Sequence, residues 1–286
     1  MLTFTLIMLA GATLAGFLGS LTGLGGGVVL IPLMVLIMGV DMHYAIAASL
    51  VAVIATSSGA AAAFVREGFT NIRLGILLEV ATVSGALVGA LLAPYVPLPA
   101  LAITFGLVML WSAYSTVIKP KPLAASHESD PLAIRLSLPS TYPTPQGLSP
   151  YGVRHVVPGL LIMLAAGILS ALVGIGSGVV KVLAMDRAMR IPFKVSTATS
   201  NFMIGVTAAA SAGVYLHRGQ IDPTLAAPVA LGAMGGAFLG GKLLPKIKTR
   251  ILRIVFAAVI AIMGVQMVYK GLTGSFTPQP AAEVAS

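Results

Sequence analysis

The segment SLTGLGGGVVLIPLM, Ser20–Met34, recurs as SALVGIGSGVVKVLAM, Ser170–Met185. Both are apolar runs interrupted by glycine, and the interruption falls at the same place in each. Gly23, Gly25 and Gly27 answer to Gly174, Gly176 and Gly178, and the Val28-Val29 pair to Val179-Val180, always 151 residues on. Glycine lacks a Cβ and weakens a helix, so each run reads as helix, break, helix. The spacing holds outward from the break. It pairs Gly16 with Gly167, Ala47 with Ala198, Ser49 with Ser200, Gly68 with Gly219, Gly85 with Gly236, Gly89 with Gly240, Pro94 with Pro245 and Phe105 with Phe256. One register kept over about a hundred residues marks a duplicated chain.

Composition says where the duplicated chain lives. Of 286 residues, 57% are hydrophobic and 9% charged, and the mean hydropathy is +1.00. A soluble domain carries about 25% charge, so the class is an all-α integral membrane protein. The run Leu2–Val40 is longer than the roughly 20 residues that span a bilayer. Alternating ten-residue strands of an outer-membrane barrel are not visible. The first residues, Met1–Ala10, lack the basic start of a cleavable signal peptide. Cysteine is absent, which excludes disulfide and thiol chemistry.

Each half reads as a Gly-broken helical hairpin followed by three transmembrane helices. The broken segments are Leu2–Val40 and Val156–Met185. The plain spans are His43–Val65, Leu74–Ala93 and Ala100–Ile118, then Val195–Leu216, Leu225–Leu244 and Ile251–Tyr269. Residues 1–118 form the first repeat and 155–272 the second. The Pro-rich linker 119–154 and the tail 273–286 read as mostly unstructured.

Loop charge orients the halves, because Lys and Arg of short loops favour the cytoplasmic side. Basic residues crowd the loops Arg66–Arg73, the linker, Asp186–Lys194 and Lys242–Arg253. They are sparse in Gly39–Met42, Pro94–Pro99, His217–Pro223 and the C-terminus. Counterpart loops thus carry opposite signals, which predicts two inverted-topology repeats. The N-terminus falls outside, the linker is cytoplasmic, and both ends of each broken segment lie on one side.

Inverted repeats with interrupted helices are a transporter pattern, with sites at the repeat interface. Freed backbone N–H groups there can hold an anion. Gly23, Gly25, Gly26, Gly27, Gly174, Gly176 and Gly178 would supply them, with Thr22 and Ser177 adding hydroxyls. Ser49, Thr199, Ser200 and Asn201, early in the next span, offer neutral donors. The competing readings are close helix packing for the glycines and interhelical hydrogen bonding for the hydroxyls. Two charges interrupt apolar segments: Lys181, opposite Leu30, and Glu79, opposite Ala230. Lys181 would neutralise a bound anion and Glu79 would carry a coupling proton. Alternatively each snorkels to the nearby cytoplasmic face. Thr207 reads as a packing residue.

Several classes fall away. Gly236–Lys242 fits a phosphate loop, but Leu243 stands where Ser or Thr is required. No hydrolase or metalloprotease motif appears, so neither enzyme activity, metal nor cofactor is expected. The basic balance lacks a nucleic-acid-binding motif. The expected partners are a small anion, the bilayer and, for oligomerisation, a second copy of the chain. An anion channel and a non-transporting scaffold are the rival classes.

The residues GFLGSLTGLGGG at Gly16–Gly27, their echo GILSALVGIGSG at Gly167–Gly178, and ATSNF at Ala198–Phe202 resemble the sulfite exporter TauE/SafE family of membrane permeases. The step from Gly68 to Asn71, repeated from Gly219 to Asp222, is similar as well. The resemblance implies export of sulfite or organosulfonates across a bacterial inner membrane.

Overall fold

The structure is a computed structural model that describes residues 2–22, 26–117, 128–144, 146–174, 177–243 and 249–274. Its elements repeat at the interval read from the glycines. Helix α1 (Leu2–Thr22) precedes the first break. The short α2 (Gly27–Pro32) follows it and runs on as a π-helical turn, Leu33–Ile37. The second repeat has α7 (Val156–Val173), α8 (Gly178–Leu183) and the π-turn Ala184–Ala188. Then come α3 (Met42–Arg66), α4 (Ile72–Leu92) and α5 (Leu98–Val117), matched by α9 (Phe193–His217), α10 (Pro223–Leu243) and α11 (Thr249–Thr273).

The G-x-x-N/D step has a plain physical reason. Gly68 and Gly219 take φ of +75° and +70°, a left-handed turn that ends the preceding helix cheaply only for glycine. Asn71 then accepts the Leu74 N–H at 3.0 Å, and Asp222 accepts the Thr224 N–H at 2.8 Å, capping α4 and α10.

Each broken segment turns back on itself. At the start of α7, Arg154 N donates to Met189 O at 3.1 Å, and the His155 ring lies 3.0 Å from Ala188 O. The chain therefore leaves the second broken segment beside where it entered. In the first, Gly11 of α1 faces the Leu33 side chain of the π-turn.

Packing exchanges partners between the repeats. Helix α1 lies along α10, while its counterpart α7 lies along α4; α3 pairs with α9, and α5 with α11. Glycines set the spacing. A Cβ on Gly85 would stand 2.1 Å from Leu164 O, and one on Gly236 1.9 Å from Thr13 O, the same contact in the other copy. Gly16 against Ala233 and Gly167 against Thr82 repeat the correspondence. Such contacts replace the missing hydrophobic drive between helices in lipid.

By length and composition, three described segments can each cross a bilayer: Ile72–Tyr95, Leu98–Ser115 and Val156–Val173. The apolar stretches Phe4–Gly19, Met42–Ser58, Pro223–Leu239 and Ala257–Thr273 are shorter. Outward-facing Val80, Leu161, Leu231 and Phe238 are exposed, as lipid contact requires.

The linker departs from the unstructured reading over its described part. It holds a turn of helix, α6 (Pro131–Arg135), and an antiparallel hairpin, β1 (Ser140–Thr144) with β2 (Gly147–Tyr151). Ala133, Leu138, Tyr151 and Val153 are buried with Leu74, Met163, Met185 and Met189. Asn71 Nδ2 donates to Leu138 O at 2.9 Å and to Tyr151 Oη at 2.8 Å. Proline and serine dominate the composition, but a few spaced apolar residues suffice to dock it. Residues 118–127, and the tail from 275 on, lie outside the described residues.

Candidate functional site

The two breaks meet. Gly27, at the start of α2, is so close to Gly174 that a Cβ on it would stand 2.8 Å from Gly174 O. Ser49 of α3 closes the junction: its hydroxyl reaches Gly174 O at 2.9 Å and Ile46 O at 2.7 Å. Gly174 takes φ of +72°, ending α7 in the left-handed region, with its N–H on Ser170 O at 2.8 Å. In the other copy Ser200 donates to Gly178 O at 3.2 Å. Both serines are buried.

Two of the expected donors also make contacts within the protein. Thr199 Oγ1 accepts the Asn71 N–H at 3.1 Å, which ties α9 to the head of α4. Asn201 Nδ2 donates back to Thr197 O at 3.0 Å within its own helix. Gly26 precedes α2 in ordinary helical geometry. Gly23, Gly25 and Gly176, with the side chain of Thr22, lie outside the described residues.

The described residues of the second break carry further chemistry. Ser170 and Ser177 flank it, both buried, and neither Oγ has a hydrogen-bond partner. Their counterparts are Gly19 and Gly26. Four residues after Ser177 comes Lys181, 0% exposed. It does not snorkel. Its Nζ donates to Thr207 Oγ1 of α9 at 2.5 Å, and that hydroxyl donates to Glu79 Oε1 of α4 at 2.5 Å. Thr82 donates to Glu79 Oε2 at 3.0 Å, and Lys181 Nζ stands 3.8 Å from that oxygen. The snorkelling alternative is thereby corrected for both charges: each finds its partner inside the protein, and Glu79 is 7% exposed. Buried charges are tolerated when paired and hydrogen-bonded.

Sequence reasoning treated Lys181 and Glu79 singly and missed what joins them. Thr207 sits two turns beyond Ser200 on α9, and Thr82 one turn beyond Glu79 on α4. Helical spacing carried that signal. The cluster draws on both repeats, since α4 belongs to the first and α8 and α9 to the second.

Comparison with known proteins gives the family. Residues 8–267 match the family described as sulfite exporter TauE/SafE. Among curated relatives, the probable membrane transporter protein YunE of Bacillus subtilis (strain 168) is 27% identical over 281 residues. That alignment covers 95% of this chain and 99% of the relative. The probable membrane transporter protein YdhB of the same organism is 28% identical over 247 residues, covering 85% and 91%. No solved structure matches. A match over nearly the whole chain, on a helical scaffold with bilayer-length apolar segments, places this protein in the sulfite exporter TauE/SafE family of multi-pass membrane transporters.

Proposed function

We propose that this chain is a secondary transporter that exports small anions, sulfite or an organosulfonate, across a bacterial inner membrane. Access alternates around the place where the two breaks meet. The carrying observation is the junction of Gly27, Gly174 and Ser49 at the second break, which two unpartnered serine hydroxyls flank and which a fully buried lysine follows in α8. Lys181 neutralises the anion, and Ser170, Ser177 and backbone N–H groups at the second break replace its water.

Alternating access rests on an inverted arrangement, and several contacts support it. Lys194, at the start of α9, lies over the ring of Phe69, in the turn between α3 and α4. Arg218, at the end of α9, donates to Ala90 O and Leu91 O at the far end of α4. Helix α9 thus runs beside α4 in the same direction, whereas its counterpart α3 ends where α4 begins. The loop charges add the orientation: linker cytoplasmic, N-terminus outside.

Reconstituted vesicles loaded with sulfite or sulfoacetate test the reading. Saturable, protein-dependent efflux with counterflow is expected. Absence of flux for any small anion, against a working control carrier, rejects it, and steady single-channel currents would make it a channel.

A further inference from the structure

A substrate anion that enters beside the second break meets a charge balance that is already closed, and this inference rests on the anion reading above. Lys181 and Glu79 cancel. The pairing is loose, however: 3.8 Å from Nζ to Oε2 is beyond hydrogen-bond reach, and Thr207 bridges the two. Of the three N–H bonds of Lys181, one is given to Thr207. Ser170 and Ser177, which flank the same break, also lack partners.

Among the described residues no cation other than Lys181 is paired with Glu79; in the π-turn that continues α8, Arg187 lies 3.5 Å from Asp186. Helix α7 contains no titratable side chain, and α8 contains Lys181 alone. On α9, Lys194 rests over Phe69, Tyr215 donates to Ala171 O, and His217 is exposed at the far end. On α4 itself, Arg73 is exposed. An anion taken by Lys181 would leave the Glu79 carboxylate as an uncompensated buried charge, which is strongly disfavoured. A proton on Glu79 removes that charge.

We propose that Glu79 is an internal stand-in for the substrate, that anion and carboxylate compete for Lys181, and that one proton binds Glu79 with each anion. The balance is simple. Anion, proton and the Lys181 ammonium–Glu79 carboxylate pair become an anion–ammonium pair and a Glu79 carboxylic acid. One O–H bond forms at Glu79 and nothing else changes covalently. For a monoanion, bisulfite or a sulfonate, both the empty and the loaded carrier are then neutral at this cluster, so the anion moves electroneutrally with a proton in the same direction.

Calorimetric binding of sulfite and of isethionate, each in two buffers of different ionisation enthalpy, reads the proton directly. The purified full chain is compared with Glu79→Gln. Wild type should take up about one more proton per anion than the variant, and its affinity should fall about tenfold more per unit of rising pH. The comparison cancels the titration of sulfite itself. Adding Lys181→Met to Glu79→Gln removes both charges together, spares the fold and should weaken binding about tenfold or more. Anion binding with equal proton uptake in wild type and Glu79→Gln would overturn the inference and leave the transporter reading intact. Failure of both anions to bind wild type would overturn both.

Discussion

Lys181 has no solvent to turn to, and its worth to the protein depends on Glu79 remaining ionised opposite it. Removing one member of such a pair strands the other. Lys181→Met alone and Glu79→Gln alone are each expected to cost about 3 kcal/mol of stability, and the double variant markedly less than the sum. Thermal unfolding in detergent measures the cycle; additive losses would mean the two side chains act independently. Much of the residue scale was legible beforehand. Both charges stood out because apolar spans rarely hold them, and Ser177 was read as a hydroxyl at the second break, whereas Ser170 was not singled out. That the two charges pair with each other was not legible. Glu79 and Lys181 are about a hundred positions apart, and no local pattern says that α4 passes α8. Thr199 has a structural contact that sequence did not announce: its oxygen accepts the Asn71 N–H.

At the scale of elements, glycine decides which helices touch. Gly85 and Gly236 allow backbones to approach to distances that exclude any side chain, whereas Gly235, one residue before Gly236, has nothing within 4 Å of an added Cβ. Gly85→Ala and Gly236→Ala are each expected to destabilise by about 1–3 kcal/mol, and Gly235→Ala to be neutral or slightly stabilising. Equal effects at all three would show that helix propensity matters there and not contact. The docked hairpin makes a second element-scale prediction. Burial pushes the Tyr151 phenol above its usual 10.0, partly offset by its hydrogen bonds to Asn71 and Ser140. The folded form therefore holds its proton longer than the unfolded form. The docking is at full strength below pH 10 and weakens as pH rises through the raised value. Protection of residues 140–151 against hydrogen exchange, taken relative to the intrinsic rate at each pH, should fall there, and Tyr151→Phe should remove that fall. The hairpin was hidden from sequence because prolines and serines outnumber the few apolar residues that seat it.

For the whole molecule, the duplication was legible almost to the residue, because glycines that set helix contacts cannot drift without breaking those contacts. The counterpart helices α3 and α9 start and stop at positions 151 apart, as do α4 and α10. The asymmetry was legible only in part. Ser170, Ser177, Lys181 and Thr82 face Gly19, Gly26, Leu30 and Ala233 in the other copy. The structure joins Lys181 and Thr207 of the second copy to Glu79 and Thr82 of the first, so both halves contribute polar groups to one buried cluster.

The account stands most directly on the opposed orientation of the copies, and the absence of cysteine makes it easy to examine. Arg66 and His217 are counterparts, 151 residues apart, at the ends of α3 and α9, and both are exposed. Single variants Arg66→Cys and His217→Cys in intact cells would be treated with a membrane-impermeant maleimide. The expected result is labelling of His217→Cys from outside and of Arg66→Cys only after permeabilisation. Labelling of both from the same side would contradict the account.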